Sequence, residues 1–312
     1  MTTNMKNPTS LLEAIRYYSN ETVCVEFLSS LKWDGGEKCC PKCGSVAVYG
    51  LRTRPVFKCR DCKKQFSIKV GTIMQDSPLP ITKWVPAIWM VVNCKNGISS
   101  CEMARALGIT QKSAWHMNHR IRQAIANDSV AKLSGVVEAD ETFIGGKDIN
   151  RHANKKRRMN PYMPSDKTIV MGMVERQGKV VSKVVNNTTA HSLKSEIRKH
   201  VERDSVLYTD NFPSYDGMGH EYYRDVVNHA NGEYVKGDVH TNTVENYWSL
   251  VKRMLKGTYI HVEPFHLDRY LDEQGFRFNT RKGNDSERFT QAASQIFGTT
   301  LTYAELIGAN QQ

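Results

Sequence analysis

The sequence predicts a multidomain chain: a short cysteine-stapled ribbon and a helical pair, followed by a larger α/β domain. Three observations carry that prediction. Two Cys-x-x-Cys pairs, Cys40/Cys43 and Cys59/Cys62, stand close together in the first quarter of the chain. A helical pattern broken by glycine covers roughly residues 80–130. Near Ser134 the apolar period changes from the 3.6 of a helix to the 2 of a strand. At 312 residues there is room for two or three domains, one large enough to bury a substantial core.

The formal net charge of +11 and a pI near 9.2 suggest a polyanionic partner, nucleic acid or an anionic membrane surface. A mean hydropathy of −0.51 and the lack of any apolar run of about 18 residues exclude a spanning helix. The opening MTTNMKNPTS has no apolar h-region, so no secretory signal is expected. The expected location is the cytoplasm.

Residues 1–35 read as an N-terminal helical segment, with Ser10 as cap and Glu13 three residues on. Leu11, Leu12, Ile15, Val23, Phe27, Leu28 and Leu31 supply its apolar face. Over 36–75, 15 residues separate Cys43 from Cys59, inside the range of a four-cysteine zinc site. Cys40, Cys43, Cys59 and Cys62 are therefore the expected ligands of one structural Zn²⁺ in a zinc ribbon. Metal there substitutes for a core that so short a segment cannot build. Cys39 is spare, and Cys24, Cys94 and Cys101 read as small buried hydrophobes.

Residues 80–130 read as a helix from Thr82 to about Asn93, then a helix, a turn at Gly108 and a second helix. A short turn with Gly between two helices is the helix-turn-helix pattern. The second helix carries Lys112, His116, Arg120 and Arg122, a set suited to base edges and phosphates. Most helical hairpins bind nothing; the basic helix and the neighbouring ribbon favour DNA contact here.

From 134 to 283 the order is GVVEADETFI, TIVMGMVE and KVVSKVVNN as strands, TAHSLKSEIRKHV as a helix, then SVLYT and EYYRDVVNHA as strands. A last helix holds HTNTVENYWSLVKRMLKG. With acids at the ends of the first and fourth strands and on the last helix, this is the order of an RNase H-like domain. Between the first two strands, residues 147–167 hold seven Lys or Arg against two Asp. A solvated loop is the plain reading. The functional one is a DNA-tracking insertion using Lys155, Lys156, Arg157 and Arg158. In the last helix Val244, Trp248, Val251 and Leu255 form an apolar stripe, while Glu245, Ser249, Lys252 and Lys256 share a polar face. Tyr247 and Trp248 read as core. A surface acidic strand end is the plain alternative for Asp140, which Glu138 and Glu141 flank. The tail, 284–312, offers two short amphipathic pieces, FTQAASQIF and LTYAELIG.

Taken together, CPKCG, KCRDC, GTIMQDSPLPITKW, ADETFIGG, YTDNFPSY, HTNTVENYWSLVKR, KGTYIHV and HLDRYLDEQGFRFNTR resemble the DDE transposases of bacterial insertion sequences, in the group headed by a zinc ribbon. The likeness runs from about 35 to 282. It implies Asp140, Asp210 and Glu245 as a triad binding two Mg²⁺, or Mn²⁺, and Lys252 as the basic residue seven after the third acid. Asn242 and Asn246 are the alternatives beside Glu245, and Arg253 is a further DNA contact. The implied partners are double-stranded DNA, as element ends and target, and further copies of the chain; no membrane is implied. The implied activity is binding of terminal inverted repeats and metal-dependent strand cleavage and transfer. The competing readings are a DNA-binding regulator with an inactive RNase H-like domain, and an RNase H-like nuclease without strand transfer.

Overall fold

The structure, a computed structural model, describes residues 8–34, 36–126, 131–146, 167–227 and 239–308. It divides into two units, Met1–Ala126 with Thr280–Gln312, and Asn127–Asn279.

In the first unit, helices α1 (Leu11–Tyr17) and α2 (Glu21–Trp33) start at side-chain caps. Ser10 accepts from the Glu13 amide and Asn20 from that of Thr22, each satisfying an otherwise unpartnered first-turn donor. A three-stranded antiparallel ribbon follows, β1 (Val48–Gly50), β2 (Phe57–Cys59) and β3 (Gln65–Phe66). Helix α3 (Ile81–Asn93) has Pro80, not Thr82, at its cap position and buries almost its whole length. Helices α4 (Ser100–Leu107) and α5 (Gln111–Ala124) are joined at Gly108, whose φ of 59° is left-handed and suits glycine.

The sequence left the tail without a partner; the structure gives it one. Helix α9 (Asp285–Ser294, numbered after the helices of the second unit) sends Phe289 into the first unit's core. Its ring stacks on Phe27 at 5.4 Å and 12°, and lies 5.0 Å from Trp89 and 5.5 Å from Tyr18. Beyond α9, Phe297 bridges Thr72 and the Gly298 amide donates to the Gly71 carbonyl.

The second unit is a five-stranded sheet flanked by helices. Strands β4 (Val136–Ile144), β5 (Thr168–Glu175) and β6 (Val180–Val185) form an antiparallel meander. Strands β7 (Val206–Asp210) and β8 (Tyr223–Val227) are parallel to β4, giving the order β6-β5-β4-β7-β8. Helix α6 (Ala190–His200) crosses between β6 and β7, as parallel pairing requires. Strand alternation sorts side chains to two cores. Val137, Ala139, Met171 and Leu207 pack with Leu193 and Ile197 of α6. On the other face Val170, Val174 and Val180 pack with Val244, Tyr247, Trp248 and Val251 of α7 (Asn242–Met254) and Leu271 and Phe278 of α8 (Leu267–Asn279). All the strands and helices expected of this region are present, EYYRDVVNHA included for its first part.

Candidate active site and metal centre

Asp140 and Asp210 reach one place through strand register. Strands β4 and β7 pair in parallel as far as Glu138 opposite Tyr208, so two residues further along both strands stand Asp140 and Asp210. Since Val137, Ala139 and Leu207 face α6, Asp140 and Asp210 face the α7 side. Asp210 ends its strand, as expected; Asp140 does not. Strand β4 runs on to Ile144 against β5, so Asp140 lies mid-strand, at the point where only the β7 pairing has stopped.

From above, α7 supplies the third group. Trp248 Nε1 donates to Asp140 Oδ2 at 3.0 Å. The indole fits because Gly172 pairs with Asp140 across β4–β5: a Cβ at 172 would lie 2.5 Å from the ring. Glu245, one turn before Trp248, is exposed and accepts from Thr241 Oγ1 at 3.2 Å. Burial raises the Asp140 carboxyl from 3.8 to about 6. The Trp248 bond and the Glu141 backbone oppose the rise, and the charges of Asp210 and Glu245 add to it. A cation among these carboxylates would relieve that repulsion. Among the described residues, the ribbon cysteines are the one group of three or more ligating atoms gathered closely enough to hold a metal ion as they stand. Lys252 and Arg253 are exposed, two turns beyond Glu245.

The acids flanking Asp140 are not a surface cluster. Glu138 is wholly buried. Glu141 points to the α6 face beside Tyr215, and burial lifts it to about 7, with Tyr215 opposing and Asp140 and Asp210 adding to the rise. Neither role was read from the sequence. Trp248 was read as core only. It is 3 % exposed and also holds the carboxylate.

The four ribbon cysteines converge, all sulfurs lying within 4.8 Å. Cys40 and Cys62 sulfurs are 3.6 Å apart and those of Cys43 and Cys59 3.7 Å. A tetrahedral site with Zn–S near 2.3 Å needs about 3.8 Å between sulfurs, so the set fits zinc. Backbone N–H groups of Cys62 and Asp61 help bring the Cys59 thiol down to about 7, toward the thiolate that metal binding requires. Cys39 is exposed and outside the cluster, and Cys24 is buried as expected; of the other two expected buried, Cys94 is half-buried and Cys101 exposed.

The helix α5 residues divide. Lys112 is exposed, its Nζ 5.2 Å from the Tyr303 ring. His116 is half-buried 5.9 Å from the same ring, its pKa lowered by burial and by Arg120. Arg120 is half-buried and Arg122 buried, which corrects the expectation that both lie open to DNA. Arg120 donates to the carbonyls of Ile73, Gln75 and Leu301, and Arg122 is 1 % exposed. Tail residues packed on this unit occupy the side of α5 that a free hairpin would show. Lys155, Lys156, Arg157 and Arg158 lie outside the described residues.

Residues 132–279 match the ISXO2-like transposase domain and 19–65 the transposase zinc-ribbon domain. An uncharacterized transposase-like protein of Haemophilus influenzae is 33% identical over 102 residues, covering 32% of this chain and 81% of that protein. An uncharacterized protein in transposable element ISH50 of Halobacterium salinarum is 25% identical over 254 residues, 77% of this chain and 85% of its own. A Mos1 transposase paired-end complex with left transposon end shares 13% identity over 68% of this chain and 79% of that one. The TM-score of that match is 0.24. With its ribbon cysteines converged and both domain models matched in order, the chain belongs to the zinc-ribbon-headed ISXO2-like transposases.

Proposed function

We propose that the second unit is an RNase H-like catalytic domain that cuts and joins DNA strands at the terminal inverted repeats of its own insertion sequence. The observation that carries this reading is the approach of three carboxylates from two adjacent parallel strands and a facing helix. They stand close enough for Asp210 and Glu245 to raise Asp140. Asp140, Asp210 and Glu245 would hold divalent cations, Mg²⁺ or Mn²⁺, which bind hard carboxylate oxygens. A bound pair supplies the charge stabilisation that in-line displacement at phosphorus needs.

The chain's own residues do the rest. Trp248 fixes one oxygen of Asp140, leaving the other for a ligand. Glu245 enters from the exposed polar face of α7. Lys252, on the same helix face, offers an ammonium to a substrate phosphate, and Arg253 extends the basic surface. In the first unit α4 and α5 form a helix-turn-helix in which Lys112 remains to touch DNA, beside a ribbon built on one structural Zn²⁺.

Helix geometry favours Glu245 over Asn246 as third ligand. At about 100° per residue, Glu245 lies about 60° around α7 from Trp248, the residue that touches Asp140, while Asn246 lies about 160° away. The test is a pair of variants assayed for Mn²⁺-dependent nicking of DNA containing the element's ends. Glu245→Gln should abolish nicking and Asn246→Ala should leave it within a few-fold of wild type. The reverse pattern would move the third ligand to Asn246.

A further inference from the structure

Helix α7 has no cap of its own. Thr241 stands at its N-cap position, where a side chain normally accepts from the second or third amide, yet makes no such bond; its hydroxyl goes to Glu245. The cap comes from another element. Glu138 of β4, two residues before Asp140 and on the same strand face, turns its buried carboxylate to the helix end. Oε2 accepts from the amides of Thr243 at 2.8 Å and Val244 at 3.1 Å. Oε1 accepts from Thr243 Oγ1 at 2.9 Å and from Arg176 Nε at 2.8 Å. Arg176 in turn donates to the His240 carbonyl at 3.1 Å, just before the helix, and its guanidinium lies 4.7 Å from the Tyr208 ring.

We propose that Glu138 is a positioning residue of the catalytic centre, the buried cap that fixes where Glu245 stands against Asp140. The proposal rests on the reading that Asp140, Asp210 and Glu245 bind divalent cation. Glu138 is not itself a ligand: a carboxylate has about four acceptor positions, and four donors already occupy them. Its charge meets the positive end of the helix, where an anion is favourable. The connection is short at both ends. Val244, whose amide is capped, precedes Glu245 directly, and Ala139 alone separates Glu138 from Asp140. One side chain therefore ties the turn bearing the third acid to the strand bearing the first. Trp248, reaching back to Asp140 one turn later, closes the same frame from the other side. A helix end held at both points cannot slide or rotate without breaking buried hydrogen bonds.

The experiment uses the full-length zinc-loaded protein and follows Mn²⁺ binding directly, by the loss of the free-ion signal in electron paramagnetic resonance. Nicking of end-containing DNA is then measured across Mn²⁺ concentration. Glu138→Gln keeps the shape but replaces one acceptor oxygen by a donor, so part of the cap must open. The expected result is Mn²⁺ binding weakened by about tenfold or more, the range seen when a residue behind a ligand is lost. Nicking should return toward wild type as Mn²⁺ is raised, because all three ligands remain. Thr243→Ala removes one donor and leaves the carboxylate in place, a milder change that covers the case of a poorly folded Gln variant. It should weaken Mn²⁺ binding in the same direction by a smaller factor. Wild-type Mn²⁺ affinity in a folded Glu138→Gln protein, or in Thr243→Ala where the Gln protein does not fold, overturns the proposal. So does loss of nicking that no Mn²⁺ concentration restores. Failure of the underlying reading looks different: Asp210→Asn would then bind Mn²⁺ as wild type does.

Discussion

Glu138, Asp140 and Glu141 lie within four consecutive residues and meet three environments. Glu138 caps a helix, Asp140 faces Trp248 and two other carboxylates, and Glu141 is half-buried on the opposite face. For Asp140, a rise from 3.8 to about 6 means the charged form is disfavoured in the fold. The destabilisation is absent below about pH 4, grows as pH rises, and is complete above about pH 6. At 1.36 kcal/mol per unit it amounts to at most ~3 kcal/mol. Asp140→Asn, which still accepts from Trp248, should therefore unfold at higher temperature than wild type at pH 7.5 without divalent cation. That advantage should vanish near pH 4, and thermal unfolding across the range checks it. Gly172→Ala tests the other contact. The new methyl overlaps the Trp248 ring, so about 1–3 kcal/mol of stability should be lost, with nicking reduced and tryptophan emission shifted. A variant with unchanged emission and unchanged nicking would show that the indole's seat does not matter.

At the scale of elements, the order of strands and helices was legible because period, caps and cysteine spacing are local properties. Ser10, Asn93 and Gly108 sit at the boundaries that such signals mark. What α5 packs against was not legible. Periodicity shows that a helix has faces, but it cannot show that chain some 180 residues later covers one of them. Hence Arg120 looked like a DNA contact and is instead a tie between three carbonyls. Arg120→Ala should lower thermal stability, by about 1–3 kcal/mol for the donors it leaves missing, as well as any binding. Lys112→Ala should leave stability unchanged while weakening DNA binding and reducing the salt slope by about 1. Equal melting temperatures for the two variants would contradict this division. On β4, alternation alone could place Glu138 and Asp140 on one face. Only the packing of α7 shows that one of them is taken up by two helix amides, the Thr243 hydroxyl and Arg176.

The whole chain joins two folding units with different chemical tasks, a zinc-stapled helical unit and a sheet carrying clustered carboxylates. The first unit is completed by the last part of the chain. Phe289→Ala, which empties the space between Phe27, Trp89 and Tyr18, should cost about 3–5 kcal/mol and release limited proteolysis of the first unit before the second. Proteolysis beginning in the second unit would contradict the assignment of the tail to the first. On the proposed reading, the carboxylates of the sheet and α7 serve cation-dependent DNA strand cleavage and joining, and not the fold. Asp210→Asn tests it most directly, since it keeps the side chain's size while removing its charge at the end of β7. With DNA carrying the element's terminal repeats and Mg²⁺ or Mn²⁺ present, the variant should bind as wild type does and yield neither nicked nor joined product. Wild-type levels of nicking by a folded Asp210→Asn protein would contradict the account.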